Sequence, residues 1–149
     1  MAHFAELDSN NVVLNILVGD NNDVDANGGD QSESAATYFA SYTPFSENGV
    51  KFVQCSYNNN FRKQYPRIGD YYDPIADQFV LAQPFPSWSL DQNNDWQPPV
   101  VFPNNTTYGD GSSNYIVLWD EDNLRWIGVD NSNNNFYWDP DTSSWISQL

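Results

Sequence analysis

The 149-residue sequence is poor in positive charge: five Lys and Arg stand against twenty Asp and Glu, with one His, for a formal net charge of −15. A field of that sign repels phosphate backbones, which excludes a nucleic-acid binder. Cysteine is nearly missing too, since Cys55 is the only one. That removes an intrachain disulfide framework and any thiolate zinc site built by this chain alone. Long apolar runs are lacking, with Asn11 to Gly19 among the longest, far short of a membrane span. The first residues show no basic segment followed by an apolar one, so the expectation is a soluble chain without a recognisable routing signal. Ala, Leu, Lys and Glu, the usual helix builders, are scarce.

What is abundant is turn chemistry and aromatic surface. Twenty Asn, sixteen Asp, eight Gly and nine Pro favour turns. Twenty-four aromatic residues, six of them Trp, supply the apolar area for a core and argue against disorder. The composition reads as mainly β, in antiparallel hairpins, with one short helix. A hairpin is expected near the start, from His3-Phe4-Ala5-Glu6-Leu7 through the turn Asp8 to Asn11 into Val12 to Val18. Burial of that hairpin in its own domain is the default, and strand addition to a partner's sheet edge the alternative. The helix is placed near residues 33–43, ending before Pro44. Lys51 to Tyr57 reads as a strand, and four of the five basic residues fall within seventeen positions of Lys51, a local basic spot.

From Tyr72 the chain repeats an apolar residue, an Asp, a polar loop and an aromatic: Tyr72 to Phe79, Leu90 to Trp96, Trp119 to Trp126 and Trp138 to Trp145. In three of these the flanking aromatics are seven apart, which sets them opposite each other across a four-residue loop; the Leu90 segment is one residue short, so its loop differs. The starts lie 18, 29 and 19 residues apart, and removing the turn-rich insertion Pro103 to Ser113 evens the spacing. The expected organisation is a β-rich domain over 1–103 with the helix, then a pair of Trp-clasped hairpins over 104–149.

Candidate sites are few. Asp23, Asp25 and Asn27 with Gly28 match positions 1, 3, 5 and 6 of a calcium loop, although Ser34 stands where position 12 needs a carboxylate. A solvated acidic loop is the plain reading and weak calcium binding the alternative; no other cofactor is expected. Trp88, Trp96, Trp119, Trp126, Trp138 and Trp145 could stack on a sugar or a partner, or simply form core, which the pairwise spacing favours. Cys55 and His3 lack any flanking catalytic signature, and no spacing of acids stands out for glycoside cleavage, so a catalytic site is not expected.

Several blocks in fixed order carry a resemblance. Met1 to Asp8 with its Asn-rich turn and Val12-Val13-Leu14, Asp25 to Gly28, Gln54 to Tyr57 with Asn58 to Lys63, Tyr72-Asp73, Asp77 to Phe79, Pro84 to Trp88 and Trp96 to Val100 resemble small virion structural proteins of marine tailed bacteriophages, including those of cyanobacteria. The similarity spans about residues 1–103 and continues less distinctly in Trp119 to Asp122. The chain departs from the pattern around Cys55, in its Asn-rich loops and in the insertion. The resemblance implies a non-enzymatic protein made in the host cytoplasm and carried in the virion, as a capsid decoration protein on the outer head surface or, alternatively, as a tail-fibre or receptor-binding module recognising host glycan. The partners it implies are other virion proteins, the major capsid protein first, with a homo-oligomer as a further arrangement and neither nucleic acid nor membrane.

Overall fold

A computed structural model describes residues 1–148. Among them are thirteen strands in antiparallel sheets and two short helices, so the protein is mainly β. The chain forms two compact units, Met1–Ala82 and Gln83–Leu149.

In the N-terminal unit, β1 (Ala2–Leu7) and β2 (Val13–Gly19) form the expected hairpin and β3 (Lys51–Cys55) pairs on the other side of β1, giving the order β2-β1-β3. Hydrogen-bonded on both sides, β1 is the central strand, so within the hairpin only β2 presents a sheet edge. Alternation along β1 sends side chains to two cores. Ala2 and Phe4 join Phe52, Val24, Ala35 and Phe39 on the face covered by α1 (Asn21–Ala26) and α2 (Glu33–Tyr42). Ala5 and Leu7 join Val13, Cys55, Tyr72 and Phe79 on the other, where the last two belong to the small hairpin β4 (Tyr71–Asp73) and β5 (Gln78–Val80). Helix α2 begins where Ser32 Oγ accepts the Ala35 N–H at 3.1 Å and stops two residues before Pro44, as expected. Helix α1 was not expected. Its sequence is largely polar, but Asp20 caps it by accepting the Asn22 N–H at 2.8 Å, and its single buried residue, Val24, docks into the first core.

The C-terminal unit begins at Gln83, well before the boundary expected after residue 103. The reason is packing: Trp88 meets Trp119 and Trp126 edge to face at 6.1 and 6.0 Å, Ser87 donates its N–H and Oγ–H to the Glu121 carboxylate, and Trp126 Nε1–H donates to the Val100 carbonyl at 2.9 Å. Residues 83–102 therefore belong with the clasped hairpins. Two minimal hairpins, β6 (Ser89–Leu90) with β7 (Trp96–Gln97) and β8 (Thr107–Tyr108) with β9 (Ser113–Asn114), precede a four-stranded meander of β10 (Ile116–Asp120), β11 (Arg125–Val129), β12 (Asn135–Asp139) and β13 (Ser144–Ser147). The insertion thus supplies the β8–β9 hairpin.

All four repeats are cross-strand pairs in register: Tyr72 with Phe79, Leu90 with Trp96, Trp119 with Trp126 and Trp138 with Trp145. Two loop designs connect the strands. After Asp73, Asp120 and Asp139 come four-residue loops whose last residue, Asp77, Leu124 or Ser143, has φ of 52°, 51° and 51°. The shorter design uses Asp8, Asp91 and Asp130, whose Oδ1 accepts the N–H two and four residues on; the residue between is Asn11, Asn94 or Asn133, at φ 63°, 59° and 62°. Asn tolerates that left-handed geometry and Asp replaces a missing backbone acceptor, which accounts for much of the Asn and Asp content. On β11, Gly128 leaves room for two rings: a Cβ there would meet Trp145 at 2.9 Å and Tyr115 at 3.0 Å.

Candidate functional site

The first half of the motif that suggested calcium, Asp23 and Asp25, lies in α1 instead of a loop, and Asn27 and Gly28 follow the helix end. Residues two apart on a helix point about 200° apart, so Asp23 and Asp25 cannot converge on one ion. Asn27 is the C-cap, its side-chain amide donating to the Asp23 carbonyl at 2.7 Å. Among the described residues no group of three or more His, Cys, Asp or Glu is placed to hold a metal. The melting temperature is therefore expected to respond equally to calcium and magnesium, by screening of the −15 charge, and to respond identically in Asp23→Ala. A calcium-specific rise that the variant abolishes would favour the weak calcium site.

The tryptophans are spent largely on packing. Trp126 and Trp138 are buried, at 6% and 5% exposure. Trp119 and Trp126 stand 5.0 Å apart and Trp138 and Trp145 5.2 Å, both edge to face. Trp119 Nε1–H donates to Glu121 at 2.7 Å and Trp145 Nε1–H to the Asn105 carbonyl at 2.8 Å. Donation from Trp119 and Ser87 holds the Glu121 carboxyl below its usual range. Trp96 opposes Leu90 across its short hairpin. Outside this cluster, on the opposite face of the meander, the register lines up Leu118, Ile127, Tyr137 and Ile146 across all four strands. Leu118 is 55% exposed there.

His3 and Cys55 are direct cross-strand neighbours, but burial pushes the thiol up to about 12 and the imidazole stacks on Tyr57 at 5.6 Å. A thiol so placed carries almost no thiolate near neutral pH.

One preformed concavity of the N-terminal unit is a groove of about 540 Å³ alongside β3. One wall is α2, through Glu33, Ala36, Thr37 and Ala40; the floor is Val50 to Gln54; the far rim is Arg62, Tyr72 and Pro74. Arg62 closes one end. Its Nε donates to Asp77 at 2.7 Å, Nη1 to the Gln54 carbonyl at 2.8 Å and Nη2 to the Gln31 carbonyl at 3.2 Å. The Tyr72 hydroxyl donates to the same Asp77 carboxylate. Burial, then the hydrogen bond to Asp77, push the Tyr72 phenol up to about 12. Burial alone would raise the Asp77 carboxyl, but the donors Tyr72 and Arg62 overcome it and hold the group below its ordinary range. Lys51, at the start of β3, lies over the Tyr72 ring at 6.0 Å and has no ion pair among the described residues. Sequence reasoning registered the basic spot without finding this groove, because only the fold sets Lys51 and Arg62 around one ring.

Comparison with known proteins finds no family model, no curated protein and no solved structure that matches the chain.

Proposed function

We propose that the protein is a non-enzymatic structural component of a tailed-bacteriophage virion, a decoration protein bound to the outer surface of the head. The observation that carries a binding role over a catalytic one is the β3 groove: it is preformed, lies beside a strand edge, and has at its rim Arg62 and Tyr72, both already committed to Asp77 behind them. The Tyr72 phenol at its rim is pushed up to about 12, further from the pH at which a general acid or base works. The resemblance to phage virion proteins supplies the setting. A net charge of −15 suits a layer that must stay soluble at high local concentration, and loops pinned by their own Asp side chains suit an exposed one. The tail-fibre alternative, with host glycan stacked on tryptophan, has less support because Trp119 and Trp138 pack against Trp126 and Trp145, and Trp119, Trp126 and Trp145 use their N–H groups internally. The chain is expected to remain with gradient-purified particles through high-salt washing and to release no reducing sugar from host polysaccharide. Its absence from intact particles, or sugar release, would overturn the reading.

A further inference from the structure

Which peptide groups of β3 point outward follows from the ladder. The Asp8 N–H bonds the Val12 carbonyl, so Asp8, Glu6 and Phe4 turn toward β2, and their neighbours Leu7, Ala5 and His3 turn toward β3. Lys51, Val53 and Cys55 then pair with β1, while the N–H and C=O of Phe52 and Gln54 face the open edge. The bond from Arg62 to the Gln54 carbonyl confirms that direction independently. No protein partner meets the Phe52 N–H and C=O on that side among the described residues, although Phe52 is only 5% exposed. The opposite edge of the sheet is covered at its start, where Val13 exchanges bonds with Asp70 and Gly69 and the Asn11 carbonyl accepts the Tyr72 N–H.

We propose that the open edge of β3 receives one extended segment of a partner protein, which adds to the N-terminal sheet as a fourth strand and sets a carboxylate against Lys51. The space is already cleared. The α2 wall facing the edge is built of Ala36, Thr37 and Ala40, whose short side chains leave room for an incoming backbone. Apolar side chains are waiting for the segment's own: Phe45 is 40% and Val50 52% exposed, and Ile75, beside the rim residue Pro74, is 96% exposed. Charge selects the occupant. Glu33 lies at the Gln54 end, two residues from Gln31, whose N–H bonds the Gln54 side chain at 2.7 Å, and Arg62 at that end is already neutralised by Asp77. Lys51 at the other end has no ion pair among the described residues, so an acidic residue of the segment is accepted there, while a basic one at that position would meet only like charge. Arg62 also fixes the length, because with the Gln54 carbonyl taken the strand can bond only the Phe52 pair and the Gln54 N–H.

This inference stands whether or not the protein resides in a virion. The test uses ¹⁵N-labelled full-length protein titrated with a degenerate pool of short acetylated peptides that alternate Val or Leu with Thr and carry one Glu, and with the same pool carrying Lys instead. The Glu pool is expected to shift the Phe52 and Gln54 amide resonances and slow their exchange with solvent, and to bind roughly tenfold more tightly than the Lys pool. Lys51→Glu should reverse that preference. Thr37→Trp, at an exposed position on the groove wall, should abolish binding of both pools with the melting temperature unchanged. Absence of shifts at Phe52 and Gln54, a preference that Lys51→Glu leaves intact, or shifts confined to the C-terminal sheet around Leu118 and Ile127 would each overturn the proposal.

Discussion

Trp126→Ala is expected to destabilise the C-terminal unit by about 3–5 kcal/mol, the range for removing a large buried aromatic. The ring is 6% exposed, packs on Trp119 and Phe102 at 5.0 Å each and on Trp88 at 6.0 Å, and donates its N–H to the Val100 carbonyl. Truncation leaves a cavity where these rings met and an orphaned carbonyl on the segment that enters the unit. A unit of this size loses about 4–8 °C of melting temperature per kcal/mol, so the shift should be on the order of 15 °C or more. Trp138→Ala, at 5% exposure against Trp145, should behave alike. Trp96→Ala should cost less, since the residue is only half-buried and its partner is Leu90 in a two-residue strand. Equal and small losses in all three variants would mean that the aromatic clasps do not hold the hairpins.

Arg62→Ala is expected to cost the N-terminal unit about 3 kcal/mol. The pair with Asp77 alone does not account for that, because Asp77 is 51% exposed and solvent screens the interaction. The larger part comes from the Gln54 carbonyl, which loses its charged donor in a residue 3% exposed, and from the Gln31 carbonyl beside it. Arg62→Lys should recover little, since one ammonium cannot reach three acceptors in a planar fork. The contribution from Asp77 also carries a pH signature. Its folded pKa is depressed, so the stability it lends is complete above the unfolded carboxylate pKa and is lost as pH falls through the lower folded value. Acid titration of stability should therefore be shallower in Arg62→Ala than in the parent below about pH 4, and identical curves would show that the cluster is not coupled.

The hairpins were readable in the sequence because each is specified locally. An Asp at the loop entrance bonds backbone within four residues, and a fixed loop length decides which two aromatics oppose each other; the one short repeat, Leu90 to Trp96, proves to use the shorter Asp91 to Asp95 loop. Helix α2 was readable for the same kind of reason, from Ser32 to Pro44. Helix α1 was not, because its stability comes from Val24 entering a core assembled by residues far along the chain. Nor was the unit boundary, which depends on Glu121 accepting from Ser87 across thirty-four positions. The groove was the least accessible of all. Strand β3 keeps an open edge because the returning chain at Gly69 to Tyr72 bonds the start of β2 instead, a tertiary choice that leaves no periodicity behind.

The most direct test of a head-surface role is a reconstruction of the whole phage particle in which copies of this chain are located. Hundreds of copies repeating with the capsid lattice on the outer shell are the predicted result. A handful of copies gathered at a single vertex, on the tail or its fibres, would contradict the head assignment and return the receptor-binding alternative to first place.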